Sequence, residues 1–473
     1  MHTECNSQGV LFQGLCAKKI TADFKGGSIT SDAGGLLLAE IERARGFIKE
    51  FSQCFADHRD PVRIDHSVKE LLSQRVMAIA LGYEDLNDHD RLRSDPLLAA
   101  LSGKSDPQGR DRRCARDRGV ALAGKSTLNR LELTAAEADP SSRYKKIVCD
   151  EKRVERYFVQ MFLDSYDKAP EEIILDIDAT DDVIYGNQEG RFFHGYYDHY
   201  CYLPLYIFCG EHPLVAVLRT SDRDAASGSK QHLERVIHQI RNRWPRVRIL
   251  VRGDSGFCRD EIMSWCESQQ NVFFILGMAR NQRLRRMIGK AMGKAQRRFG
   301  TTGKPARVFR TFAYRTHKSW SRKRKVVAKA EYLPKGENAR FIVTNLSHSH
   351  GSGRYLYEKI YCARGDMENR IKEQQLWLFA DRTSTAQMRS NQLRLWFSTV
   401  AYMLVAELRR VGLKGTRMAK AQAGTIRNRL LKIGALVKVS VRRVLVSMSS
   451  AFPLADLFLR IIHNIRAQYP LLA

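Results

Sequence analysis

No apolar run in this 473-residue chain approaches the ~20 residues that a membrane span needs. The opening stretch, MHTECNSQGVLFQG, lacks both a basic n-region and an apolar h-region, so no signal peptide is expected. No CxxC pair and no framework spacing occurs among the ten cysteines. That excludes a disulfide scaffold and points to reduced, mostly buried thiols in a cytosolic protein. Internal repeats and low-complexity tails are absent as well. Acidic residues are scarce: 51 Asp and Glu face 79 Lys and Arg, a formal charge of +28 with a pI near 9.9. So basic a chain implies a polyanionic partner, nucleic acid first and an anionic membrane surface second. The deficit is local. Residues 281–340 hold 19 basic residues and two acids, and residues 383–450 hold 13 and one.

What is present is the composition of a globular protein, 44% apolar and 27% charged, long enough for two or three domains. Residues 1–165 read as mostly helical: LLLAEIERARGF, then HSVKELLSQRVMAIALGY, then DEKRVERYFVQMFLDSY, with a basic loop near 102–120. This region is expected to bind DNA ends. From Glu172 the pattern changes. EIILDIDAT reads as a buried strand whose carboxylates emerge at its C-terminal end. HYCYLPLYIF, PLVAVLR, VRILVRGDSGF and NVFFILGM are further strands, with helices KQHLERVIHQIRNRW and CRDEIMSWCES among them. Such alternation predicts an α/β domain over 166–382. Residues 281–345 interrupt it with strand-like pieces among the basic charges, a pattern that predicts an inserted β subdomain along a phosphate backbone. Residues 383–473 predict a basic helical region.

The chemistry concentrates in YCARGDMENRIKEQQ, residues 361–375. Read as a helix, it sets Tyr361, Arg364, Glu368, Lys372 and Gln375 on one face. Ile360, Met367, Ile371 and Leu378 supply an apolar stripe for docking. Two upstream acids, Asp178 and Asp254, close buried strands where partner carboxylates for Glu368 would sit. Three converging carboxylates are hard oxygen ligands for a pair of magnesium ions, and two such ions activate the attacking and stabilise the leaving oxygen in phosphodiester chemistry. Taken singly, each aspartate is as well explained as a turn former or helix cap. Trp320 offers a ring to a flipped base near a DNA end, or to the backbone alongside Arg322, Lys323, Arg324 and Lys325.

Other motifs carry less. Gly119 to Ser126 satisfies a P-loop in letters, yet DRRCARDR before it cannot be the buried strand a P-loop follows. His194, His199 and Cys201 lack a second ligand pair and read as packing groups rather than a zinc site. Cys258 reads as a buried thiol.

LDIDAT, VRGDSGF and the spacing of Tyr361, Arg364 and Glu368 resemble DDE-class insertion-sequence transposases, most of all the IS thirteen-eighty family within the IS-four-like set. The resemblance extends to SDAGGLLL, GYEDLNDHDRLRSDP and TLNRLE, nearly the whole chain. It implies an RNase H-like catalytic core interrupted by a β-rich insertion before the glutamate helix. It implies Asp178 as the first carboxylate, with Asp176 as the fallback, and magnesium or manganese as cofactor. It also implies that Tyr361 and Arg364 approach transposon-end phosphates, and that a homodimer pairs two ends in the bacterial cytoplasm, at the nucleoid. One position departs from the pattern: Gln375 stands where a lysine is expected, and Lys372, one turn after Glu368, is its substitute on the same face. The expected function is cleavage of terminal repeats and joining of 3′-hydroxyl ends to target DNA. The rivals are a metal-dependent nuclease of the same fold that does not join, and a non-catalytic DNA-binding protein.

Overall fold

The computed structural model describes residues 10–12 and 17–470. The chain forms two compact units: Cys149–Thr399, and a second that combines Met1–Val148 with Val400–Ala473. The first and last stretches of the chain, read separately from the sequence, therefore share one unit. Among the described residues no helix is long and apolar enough to cross a membrane.

The unit Cys149–Thr399 is built on an eight-stranded sheet. Its strands are β1 (Glu172–Ala179), β2 (Leu205–Cys209), β3 (His212–Val217), β4 (Arg248–Gly253), β5 (Val272–Met278), β6 (Ala306–Tyr314), β7 (Arg324–Leu333) and β8 (Gly336–Thr344). They lie in the order β3-β2-β1-β4-β5-β8-β7-β6. Strands β1, β4 and β5 are parallel, and the remaining neighbours are antiparallel.

The two-residue period of a strand explains how both faces are covered. Ile173, Leu175 and Ile177 of β1 face a core that includes Phe162 of α1 (Glu151–Leu163), Val236 and Ile240 of α2 (Ser229–Arg243), and Ile262 and Cys266 of α3 (Asp260–Ser268). Ile174 packs instead with Leu250, Ile275, Val327, Ile342, Leu356 and Tyr357. Asp176 and Asp178 continue that second row toward the end of the strand.

The segment 281–345 differs from the expected β insertion. It opens with two helices, Gln282–Met287 and α4 (Gly289–Thr302), and its strands extend the central sheet rather than forming a separate layer. The reason is again alternation. Val326, Ala328 and Ala330 of β7 join one core, while Val327 joins the other.

In the unit Met1–Val148 with Val400–Ala473, the helix Val68–Leu81 opens with a reciprocal capping box between Ser67 and Glu70 and ends at Gly82, φ 99°. The motif SDAGG is structural here. Asp32 accepts from the Tyr83 hydroxyl and from Lys432 Nζ, both at 2.6 Å. A Cβ on Gly34 would lie 1.9 Å from the Leu430 carbonyl oxygen, so only glycine fits. The C-terminal region, expected to be helical, also contains the strands Ala435–Val439 and Val444–Met448, which pair with each other, and the first of them pairs with Ile29–Thr30. At the P-loop look-alike, Ala121, Leu122 and Ala123 are buried and follow a 3-10 turn, Ala115–Asp117, in place of a strand. Asp90 occupies the start of the next helix by accepting from the Lys125 amide.

Candidate active site

Asp178 and Asp254 stand at the C-terminal ends of β1 and β4, and a helix brings Glu368 toward them. Strand register sets Arg252 of β4 beside Asp176 and Gly253 beside Ile177. Asp254 and Asp178 are the residues that directly follow this last pair. Asp254 leaves the sheet in a tight turn and accepts from the Gly256 amide at 2.8 Å. Glu368 arrives from α5 (Gly365–Leu378), in its first turn.

Arg364 joins the set. Its guanidinium lies 3.2 Å from Asp178 Oδ2 and 2.6 Å from Glu368 Oε1. Burial pushes the Asp178 carboxyl up to about 7; Arg364 pulls against that shift, while Asp254 and Glu368 add to it. The acids therefore feel one another's charge at a place with little water. Among the described residues no three acidic, histidine or cysteine side chains stand close enough to hold a metal ion as they are. The cation between Asp178 and Glu368 is the arginine. As a donor set, three hard carboxylates with raised mutual repulsion suit a divalent ion such as magnesium.

Asp176, the fallback for the first carboxylate, is engaged elsewhere. It is 5% exposed and takes both arms of Arg252, with Arg252 Nη2 donating to Oδ2 at 2.7 Å. The same arginine donates to the Ile360 carbonyl at 2.5 Å, tying the strand to the segment that leads into α5. That segment is not the continuous α-helix expected from 361 to 375. Leu356–Tyr361 is π-helical, Cys362–Arg364 is a 3-10 turn, and the α-helix starts at Gly365. Tight packing explains the change of pitch. Leu356 and Tyr357 are buried against the sheet, with Ile360 and Tyr361 beside them, and a π turn is a recognised way to re-aim side chains at a site. Met367, Ile371 and Leu378 do form the buried stripe expected of α5.

Tyr361 depends on a glycine. A Cβ on Gly277 of β5 would stand 2.5 Å from the Tyr361 hydroxyl and 2.8 Å from the Ser255 amide. Glycine there lets the ring reach the turn that carries Asp254, and burial raises the Tyr361 phenol above its usual range. Gln375 points the other way, donating to the Asp181 carbonyl at 3.1 Å and to Asp182 Oδ1 at 2.9 Å. Asp182 is completely buried, and burial pushes its carboxyl up to about 8. Lys372 is exposed.

The basic hairpin divides. Arg322 and Lys323 are exposed. Lys325 is half-buried and donates to the Leu346 carbonyl. Trp320 and Arg324 correct the expectation of DNA contact: each is 4% exposed. Trp320 packs edge-on to Tyr314 at 5.8 Å, and Arg324 pairs with Asp260 at 2.6 Å and Glu267 at 2.7 Å. Arg324 opens β7 and turns inward, and Trp320, in the loop before it, packs on Tyr314, details that charge counting does not register. His199 pairs with Asp181 at 2.8 Å and Cys201 is buried, in keeping with packing roles. Cys258, expected as a buried thiol, is only partly buried against the core, and desolvation there pushes its thiol up to about 12.

The unit is mixed α/β with a large central sheet, and the family match makes the chain an enzyme of the DDE class, which acts in DNA transposition and recombination. The chain belongs to the family described as "Transposase DDE domain group 1", whose model matches residues 12–470; members of this class generally use divalent metal ions. Among solved structures, it is similar to the piggyBac transposase in a synaptic complex with hairpin DNA. That similarity runs at 12% identity over 85% of this chain and 80% of the other, with a TM-score of 0.40. No curated protein matches the sequence.

Proposed function

We propose that this transposase binds the terminal inverted repeats of an insertion sequence resembling the IS thirteen-eighty type, cleaves there, and joins the 3′-hydroxyl ends to target DNA. Asp178, Asp254 and Glu368 are the metal-holding carboxylates in this reading. The observation that carries it is Arg364. One guanidinium reaches acids from the first strand of the sheet and from a helix late in the domain, and Asp254, like Asp178, directly follows the last register pair of two adjacent parallel strands. A mixed sheet whose parallel strands end in these acids also supports an RNase H-like core.

Asp178, Asp254 and Glu368 would hold divalent ions, two of them in this reading, which would supply activation of the attacking oxygen and stabilisation of the leaving one. The chain's own residues do the rest. The carboxylates fix the site on rigid strand ends. Tyr361 and Arg364 orient the end phosphate, Lys372 adds a cation one turn beyond Glu368, and Arg322 and Lys323 track the backbone. Attack by water or a DNA 3′-hydroxyl is in line and needs no covalent enzyme intermediate. Paired ends call for a homodimer, and the DNA substrate places the enzyme at the bacterial nucleoid.

The test is cleavage of a labelled duplex bearing the element's own terminal repeat, with and without magnesium, by wild type and Glu368→Gln. Metal-dependent nicking at the end, lost in the variant, supports the reading. A Glu368→Gln protein that still cuts would sink the assignment.

A further inference from the structure

Between β1 and β2 the chain forms a small three-stranded sheet from Asp182–Val183, Phe192–His194 and His199–Tyr202, the last strand central. Five large side chains here face solvent: Tyr185 at 94% exposure, Phe192 at 41%, Phe193 at 51%, Tyr196 at 85% and Tyr200 at 41%. All five are aromatic. Soluble proteins seldom leave so concentrated an apolar patch without a partner.

The rings are arranged rather than scattered. Phe193 and Tyr200 are directly paired across the strands, with ring centroids 5.5 Å apart. Arg191 lies 3.8 Å over the Tyr200 ring. Tyr196 sits edge-on to Tyr197 at 5.0 Å, and Tyr197 stacks on His199 at 6.0 Å. Alternation puts Phe192 and the buried Cys201, its cross-strand partner, on the other side of the small sheet, while Tyr202 lies buried on the Tyr200 side.

Its position is fixed by the candidate active site. The chain enters this sheet four residues after Asp178 and returns as β2, where Tyr206 pairs with Asp178. Gln375 of α5 pins the entry by holding Asp181 and Asp182.

We infer that this aromatic face stacks unpaired bases of the DNA strand freed at a cut end. The stretch 181–200 has one arginine and no lysine against four acids, so it offers little to a phosphate backbone. What it offers is ring faces, and base–ring stacking is tolerant of sequence. An intact duplex hides its base faces; they become available where strands part, which is beside the reacting phosphate. The inference rests on the transposase reading above and moves base stacking away from the buried Trp320.

The test uses the full-length protein in EDTA, so that binding is read without cutting. The probe is a short thymidine strand carrying one 2-aminopurine, compared with a blunt duplex of the same length. Phe193→Ala and Tyr196→Ala should each weaken strand binding roughly five- to thirtyfold and remove the 2-aminopurine quench, with duplex affinity and melting temperature unchanged. Tyr196→Phe should restore both signals. Wild-type strand affinity in the alanine variants overturns the inference, as does an equal loss of strand and duplex affinity. So does a loss of self-association in sedimentation with strand binding intact, which would make the face a contact between two copies. Failure of the cleavage test with Glu368→Gln would strike the catalytic reading and leave this strand-binding result standing on its own.

Discussion

Arg252 grips Asp176 with both arms across adjacent parallel strands, 7% exposed on either side. That pairing separates two aspartates that stand two residues apart on one face of β1. It makes Asp176 a structural acid and leaves Asp178 turned toward Arg364 and Glu368. Asp176→Asn would strand a buried guanidinium, at a cost of about 3–5 kcal/mol. Asp178→Asn removes a carboxylate that burial already disfavours, so it should cost far less stability while abolishing cleavage. Urea denaturation beside the nicking assay checks both. Equal destabilisation by the two variants would contradict the division of roles.

Gly277 should be intolerant of any side chain. Gly277→Ala puts a methyl group against the Tyr361 hydroxyl and the Ser255 amide, pushing the ring and the Asp254 turn apart. A displacement of about 1 Å at a reacting centre costs on the order of a hundredfold in rate. Cleavage should therefore fall by about that factor, and Gly277→Ala/Tyr361→Phe, which removes the clashing oxygen, should recover part of it.

If Asp178 and Glu368 hold the metal as proposed, Arg364 competes with that cation for the same acids. In Arg364→Met the carboxylates lose their one bridging positive charge. Magnesium should then raise the melting temperature more than it does in wild type, by linkage to a more negative site. End cleavage should nevertheless drop, because the guanidinium is gone from the phosphate. An unchanged magnesium response would show that arginine and metal do not share the site.

Asp182 sets a pH dependence. Its carboxyl keeps its proton in the folded state up to about pH 8, whereas an ordinary aspartate loses it near 3.8. Between those values the folded chain binds more protons than the unfolded one, so stability falls as pH rises from about 4 to about 8 and levels off above. Asp178, pushed up to about 7, acts in the same direction. The diagnostic is the difference between proteins: Asp182→Asn should keep the Gln375 hydrogen bond and flatten part of the decline in urea unfolding between about pH 5 and about pH 8.5.

The basic hairpin should split into two behaviours. Lys323→Ala should weaken duplex binding evenly across sequences and lower the salt slope by about one. Arg324→Ala should leave that slope alone and destabilise the protein by about 3 kcal/mol, since Asp260 and Glu267 lose their buried partner. Filter binding against salt, with thermal unfolding beside it, distinguishes the two.

Local pattern alone determined a good deal here. The apolar runs ending in Asp178 and Asp254 form parallel strands of one sheet, as their β-branched composition demands, and the stripe Met367, Ile371 and Leu378 buries α5. These features depend on residues near one another in the chain, where periodicity has physical meaning. Tertiary structure alone decided the rest. Strand register paired Arg252 with Asp176, packing on the sheet imposed a π turn before Arg364, and a missing Cβ at Gly277 admitted Tyr361. Trp320 and Arg324 turned inward although their neighbours are basic and exposed, while the rings from Tyr185 to Tyr200 turned outward. A side chain's face in a sheet reverses with a shift of one residue. Which side chains of the hairpin Phe192–His194 and His199–Tyr202 meet solvent is therefore settled by the register of their pairing, and composition holds no record of that register.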